Sequence, residues 1–397
     1  MDAINRDSIA DVYFQLKGKS LYATHTEGYA AQSVNLWRDW LPEEVDRALI
    51  GRRAWEQARV EIEAGLLFGS SDGPLTIDRR RFNMNPQAGR FYPKGRLSGF
   101  AGVFPQNIQP FRCVGVNNGN MDIDMSHPLA LHPLTLAMTV GRISSKVNER
   151  GGSSVDWMGL LTDGPGMQAR WQDRPTDFFS GRPFLRRDGQ PDDHFYANPR
   201  LVHHADETAR EMIADVYRRF VTDGMAVLDL MSSWHAHLPD TVTPASVSGL
   251  GLNRTEMEQN PRLTDIRIHD LNTEPVLPYA GNRFDVAICS LSIEYLTDPL
   301  AVFKEVARVL KPGGIFAVTF SNRWFPPKVI AIWEQLHEFE RMGLVLEYFL
   351  RSGGFGNLGT YSMRGLPRPQ NDRYAGELAL SDPVYAVWGT ASESDPV

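Results

Sequence analysis

Two cysteines in 397 residues, Cys113 and Cys289, exclude a disulfide-built fold and give no sign of an oxidising compartment. No stretch reaches the roughly 20 apolar residues that cross a bilayer. The surplus of Lys and Arg that marks a nucleic-acid surface is also missing, because the formal charge is −7. The opening Met1-Asp2-Ala3-Ile4-Asn5-Arg6-Asp7 lacks the basic start and apolar core of a secretory signal. With 42% hydrophobic and 22% charged residues, a water-soluble, cytoplasmic protein is expected, without membrane or nucleic-acid partners. The length exceeds one ordinary domain, so two are expected. No repeat at solenoid spacing is present.

Residues 146–194 read as a linker. They hold Gly151-Gly152-Ser153-Ser154, Asp163-Gly164-Pro165-Gly166 and Gly181-Arg182-Pro183, with little periodic apolar pattern between them. Before it, residues 1–145 are rich in strand patterns. Val60, Ile62, Ala64 and Leu66 alternate with Glu61, Glu63 and Gly65, and Leu134, Leu136, Met138 and Val140 alternate with Thr135, Ala137 and Thr139. A short helix is expected at 41–49, and an α+β domain of mainly antiparallel sheet that folds on its own.

After the linker, residues 195–397 alternate helix and strand. Ala209, Met212, Ile213, Val216 and Phe220 form a helical stripe within 205–221. Strands are expected at 226–230, 246–250, 266–269, 284–289 and 315–320, with a helix at 299–310 and a last strand at 384–388. Such βαβ alternation implies a parallel sheet.

Four signals stand in order along this half. They are Val227-Leu228-Asp229-Leu230-Met231-Ser232-Ser233, Gly249-Leu250-Gly251-Leu252-Asn253, His269-Asp270-Leu271-Asn272 and Phe284-Asp285-Val286-Ala287-Ile288. Lys311-Pro312-Gly313-Gly314 follows the last after a helical stretch. Each ends a strand or opens a turn, where an open α/β sheet places its ligand contacts. A dinucleotide would need a glycine-rich turn to cradle its pyrophosphate. Met231-Ser232-Ser233-Trp234-His235 contains no glycine, and Asp229 would repel phosphates. An acid there suits a ligand with an ammonium group and a cationic sulfur instead.

These residues resemble class I S-adenosylmethionine-dependent methyltransferases of the type-11 group, over about residues 195–392. The resemblance implies a Rossmann-like α/β fold, S-adenosylmethionine as cofactor, and transfer of a methyl group to an unidentified small-molecule or protein acceptor. It assigns cofactor binding to Asp229, Met231, Ser232, Ser233, Gly251, Asn253, Asp270 and Leu271. Two departures stand out: serines replace the usual glycines at 232 and 233, and Asn253 replaces the usual ribose-binding acid. Phe195-Tyr196, Pro199-Arg200-Leu201-Val202, Ser321-Asn322-Arg323 and Ser381-Asp382-Pro383-Val384-Tyr385 are similar to a bacterial and plastid subgroup whose substrate the sequence does not name.

Methyl transfer needs alignment, and needs a base only where the acceptor must lose a proton. His204, Tyr196 and Glu294 are the catalytic candidates, with Arg200, His235, His237 and Tyr295 nearby in the same segments. His203-His204 and His235-Ala236-His237 lack the spacing that fixes a metal, so no metal is expected. Acceptor contacts are expected from variable loops at 324–365.

The first domain resembles FKBP-type prolyl isomerases of the bacterial chaperone-like kind. Leu41-Pro42-Glu43-Glu44-Val45-Asp46-Arg47-Ala48-Leu49-Ile50-Gly51, Glu61-Ile62-Glu63-Ala64-Gly65-Leu66-Leu67-Phe68-Gly69 and His127-Pro128-Leu129-Ala130 carry the similarity. The early-strand aspartate of that family is missing from Tyr29-Ala30-Ala31-Gln32-Ser33, and Trp55 stands where glycine is favoured. A degenerate module without useful isomerase activity is implied. The alternative function is a peptide-binding or chaperone-like protein whose second domain binds a nucleotide without catalysis. Oligomeric state is open.

Overall fold

Period-two burial builds the first sheet. Along β1 (Ser8–Lys19), Ser8, Ala10, Val12, Phe14 and Leu16 turn inward in alternation. The chain continues through β2 (Ala23–Asn35), the short helix α1 (Glu43–Leu49), β3 (Gln57–Ile62), β4 (Leu75–Asp78), β5 (Phe91–Pro93), β6 (Pro110–Asn117), β7 (Asn120–Asp124) and β8 (Leu134–Ser145). The strands form two sheets, β2-β1-β8-β3 and β4-β7-β6-β5, antiparallel throughout. Val45 and Leu49 of α1 enter the core of the first. The strand expected across 60–66 stops at Ile62, because Gly65 turns the chain at φ +85°.

The computed structural model describes residues 3–69, 73–145, 151–168 and 170–392. These fall into two compact units, the first comprising residues 1–178, 336–343 and 361–366, and the second the remainder. Part of the expected linker, 146–150 and 169, lies outside the described residues. The rest differs from a linker. Its α2 (Trp157–Thr162) is capped by the Asp156 side chain, which accepts from the Gly159 amide. It buries Trp157, Met158 and Leu161 in the same core as Phe14 and Tyr29. Glycine and proline spacing hid this, since the apolar run is only one helical turn and a half long.

Independent folding of residues 1–145 does not fit this unit either. Glu340, from the returning segment, accepts from Arg90 Nε at 3.1 Å and from the Phe91 amide at 2.8 Å. Both side chains are almost fully buried, so a fragment ending at 145 would leave the Arg90 charge without its partner.

In the second unit short apolar runs become parallel strands. β9 (Ala226–Leu230), β10 (Ser246–Gly251), β11 (Asp265–Ile268), β12 (Phe284–Ser290) and β13 (Leu310–Phe320) stand in the order β11-β10-β9-β12-β13. β15 (Val384–Ala391) adds antiparallel to β13, with β14 (Phe355–Arg364) next to β15. The helices are α3 (Asp192–Phe195), α4 (Glu207–Tyr217), α5 (Arg254–Glu258), α6 (Pro299–Val309), α7 (Ala331–Gln335) and α8 (Arg341–Ser352). α6 shows why: Asp298 caps it, Pro299 opens it, and Val302, Phe303, Val306 and Val309 form its buried stripe. Tyr217 ties α4 to the sheet, its hydroxyl 2.7 Å from Ser290 Oγ and 2.8 Å from Thr319 Oγ1.

Two expectations change here. β13 begins at Leu310 and absorbs the Lys311-Pro312-Gly313-Gly314 turn, with Gly313 at φ +78°. The stretch 324–365 is not a set of loops, because it holds α7, α8 and β14. Among the described residues no helix is long and apolar enough to cross a membrane.

Strand order reverses between β9 and β12. In an open α/β sheet that reversal leaves a crevice at the carboxyl ends of the strands.

Candidate functional site

A pocket occupies that crevice and is lined from the ends of β9, β10, β11 and β12. Asp229 sits on its inner wall, 3% exposed, and accepts from Ser232 Oγ at 2.6 Å. Burial pushes its carboxyl up to about 7, against the smaller opposing pull of that hydroxyl. The turn after β9 is made without glycine: Met231 itself adopts φ +55°. A non-glycine residue in that region stores strain of order 1 kcal/mol, which the surrounding contacts must hold.

The next turn over explains Gly251. A Cβ there would lie 2.3 Å from the Ser232 carbonyl oxygen, and the Ser232 amide donates to the Leu250 carbonyl at 2.8 Å. The Met231–Ser233 backbone therefore lies directly on Gly251, whose missing side chain is used by the protein's own loop.

Asn253 is equally committed. Its Oδ1 accepts from the Glu256 amide at 3.0 Å, capping α5, while its Nδ2 donates to the Tyr196 and Ala197 carbonyls at 2.8 and 3.3 Å. Glu256 was not expected in the site. Its Oε2 accepts from Ser233 Oγ at 2.6 Å and its Oε1 from the Arg200 amide at 2.7 Å. The signal was there in Asn253-Arg254-Thr255-Glu256, the spacing of a capping box, except that the glutamate turns into the pocket instead of back to the cap.

Asp270 and Leu271 line the opposite wall. Asp270 holds its own turn, Oδ1 accepting from the Asn272 amide at 2.9 Å and Oδ2 from Thr273 Oγ1 at 2.8 Å. Asn272 in turn donates to Asp192 and to the Tyr295 carbonyl, at 2.8 and 3.0 Å. Asp192 also pairs with Arg186 at 2.7 Å and with the fully buried Lys328 at 3.1 Å. This network fixes α3, which delivers Phe195 and Tyr196.

At the mouth, Arg200 lies over Phe195, Phe325 and Tyr196, with its carbon 4.4, 5.2 and 5.6 Å from the three ring centroids. Burial, with Asp192 and Glu294 adding to it, pushes the Tyr196 phenol above its ordinary range, so it donates and does not act as a base near neutrality. His204 packs edge-on to Phe325. Burial lowers its pKa, with Arg200 acting the same way and Glu256 opposing, which leaves a neutral imidazole able to accept a proton. His203, His235 and His237 crowd the same wall, and burial lowers all three. Among the described residues no group of three or more His, Cys, Asp or Glu could hold a metal.

The pocket thus brings together Tyr196, His204, Asp229, Met231, Ser232, Ser233, Gly251, Asn253, Asp270 and Leu271. Glu294 is the correction. The 3-10 turn Ile293–Tyr295 that follows β12 carries its side chain into the interior, 1% exposed, and Tyr295 lines the pocket in its place.

The family model described as a methyltransferase domain matches residues 230–318, the stretch that supplies most of these strand ends. The whole of that match lies within the second unit. Among curated relatives, the methyltransferase GfsG of Streptomyces halstedii is 29% identical over 31% of this chain and 48% of its own. A ubiquinone biosynthesis O-methyltransferase of Cereibacter sphaeroides is 30% identical over 32% of this chain and 53% of its own. The corresponding Caulobacter vibrioides enzyme is 25% identical over 51% and 81%. The chain thus spans about half the length of the first two of these relatives. A solved S-adenosylmethionine-dependent methyltransferase from Aquifex aeolicus is 18% identical over 47% of this chain and 94% of its own, with a TM-score of 0.31.

Proposed function

We propose that the protein is an S-adenosylmethionine-dependent methyltransferase. The observation that carries this reading is Asp229, a buried carboxylate at the reversal point of a parallel sheet, beside a turn without the glycines a pyrophosphate needs. A carboxylate pushed up to about 7 by burial gains most from a cationic partner. The residues fit the cofactor: Asp229 takes its ammonium, the Met231–Ser233 turn its amino-acid end, and Asp270 with Leu271 its adenine. Asn253 and Gly251 shape the wall and do not grip the ribose, since their capacity is used internally; Glu256, whose two oxygens each accept one internal bond and can accept a second, is the acid that lines that face. When bound, S-adenosylmethionine supplies a methyl group already activated on sulfur.

The protein's part is alignment and proton handling. Arg200 on its aromatic rings and Tyr196 as a donor position the acceptor, and neutral His204 takes its proton where it has one to lose. The acceptor is a small molecule or a protein side chain, and the work is done in the cytoplasm, in keeping with two buried free cysteines. Calorimetry with S-adenosylhomocysteine and with NAD tests the reading. Binding of the first and not the second is expected, and the reverse overturns it.

For the first unit, the FKBP-like reading rests on the four-stranded antiparallel sheet β2-β1-β8-β3, on α1, and on Trp55. Trp55 adopts φ +70°, the region where glycine is at ease, at the position where the resemblance expects glycine. With the aspartate replaced, the module presents or scaffolds and does not isomerise.

A further inference from the structure

Beside the first pocket the second unit contains another cavity, of about 340 Å³. Val202, His203, His204 and Trp234 line both. Three of the acids around it are fully engaged. Arg368 binds Asp206, Asp372 and Asp382 at 3.3, 3.0 and 2.7 Å. Asp382 also accepts from Arg323 at 2.8 Å, and Asp206 from the Ser381 hydroxyl at 2.8 Å and the Ala209 amide at 3.0 Å. Glu207, the fourth acid, is exposed to solvent.

Two guanidiniums in the wall are placed differently. Among the described residues, neither Arg210 nor Arg373 forms an ion pair with a carboxylate. Arg210 Nε is buried with no hydrogen-bond partner. Arg373 lies over the Tyr374 ring at 4.6 Å, and Arg323 over the same ring at 5.0 Å. A guanidinium laid on an aromatic face is held in orientation while its N–H edge stays free to donate. His203, kept neutral by its surroundings, adds a hydrogen-bonding group without adding charge.

A cavity with two cationic forks, three of its four acids already used and the fourth turned to solvent is suited to an oxyanion. We propose that it binds a carboxylate or phosphate group of the methyl acceptor, with Arg210 and Arg373 as the ligands. The acceptor then reaches past Trp234 and His204 to place its reacting atom in the first pocket. This assignment rests on the methyl-transfer reading. The same chemistry has a second source, the carboxylate of the cofactor itself, and the test separates the two.

The full chain is titrated with inorganic phosphate by calorimetry at constant ionic strength, with and without saturating S-adenosylhomocysteine. Saturable phosphate binding is expected in both conditions. Arg373→Gln and Arg210→Gln should each weaken it about tenfold, the scale of one charge-assisted contact, and leave S-adenosylhomocysteine affinity within about twofold. Absence of saturable binding overturns the site. Competition between phosphate and S-adenosylhomocysteine overturns the acceptor assignment, because the cofactor's carboxylate then owns the cavity. If S-adenosylhomocysteine does not bind at all, the methyl-transfer reading fails, and phosphate binding with its loss in the two variants decides the anion site alone.

Discussion

Ser232 donates to Asp229 over 2.6 Å from the far side of a turn whose middle residue, Met231, is left-handed. The pair closes the inner wall of the pocket, and its carboxyl is pushed up to about 7 in the unliganded protein. In an unfolded chain an aspartate titrates near about 3.9. The folded state therefore holds the extra proton, and this group's contribution to stability is full below about 4 and lost as pH rises toward 7. Asp229→Asn should be more stable than the natural protein, with the gap widening from pH 4 to 7. Thermal melts of both across that range measure it; buried Glu27, also raised to about 7, gives both proteins the same background slope.

Cofactor binding should show the matching proton. On the proposed reading an ionised Asp229 faces the cofactor's ammonium, so binding below pH 7 should release a proton and affinity should fall with acidity. Calorimetry of S-adenosylhomocysteine binding at pH 6 in buffers of different ionisation heat reads that release. In Asp229→Asn the release should vanish and affinity drop by roughly 10- to 100-fold, the worth of a charged hydrogen bond.

Gly251→Ala should collapse the site from below. The new methyl would meet the Ser232 carbonyl at 2.3 Å, and a backbone atom cannot swing aside. A loss of about 1–3 kcal/mol is expected from the overpacking, together with loss of S-adenosylhomocysteine binding. A normal melting temperature with normal binding would show that the turn moves freely.

Asn253 makes a separable prediction. Asn253→Ala removes the cap of α5 and both tethers to the 196–197 carbonyls, costing about 1–2 kcal/mol. Asn253→Ser keeps a capping oxygen and should recover most of the stability, yet leave the tethers absent. Limited proteolysis should then cut near 195–200 faster in both variants than in the natural chain.

His204→Gln and Tyr196→Phe test the reacting end. Each should lower transfer of a labelled methyl group into a cell extract while cofactor affinity holds within a few-fold. A parallel fall in affinity would make both residues part of the cofactor wall.

Much of the second unit is legible in sequence because buried parallel strands read as short, largely apolar runs: the strands at Ala226–Leu230 and Phe284–Ser290, each interrupted by one aspartate, begin where expected. β14 is not, since Gly354, Gly356 and Gly359 look like a loop. Gly359 is there for packing: a Cβ would sit 2.3 Å from the Trp388 ring. At the site, strand ends place Asp229 and Asp270 directly. Glu294 misleads because one 3-10 turn decides which of two neighbouring side chains faces the pocket. The Asp192–Lys328 pair leaves no local pattern at all, its partners being brought together only by the fold.

The return of residues 336–343 and 361–366 to the first unit has a consequence in time. A domain made first on the ribosome ordinarily finishes folding first. Here the amino-terminal unit waits for Glu340 to emerge before the Arg90 charge can be buried with a counterion, by which point all five parallel strands of the second unit have been synthesised. The half that starts first is not complete until residue 366, after most of the second unit has been made, and a truncation or a translational pause before residue 340 exposes an unfinished amino-terminal core.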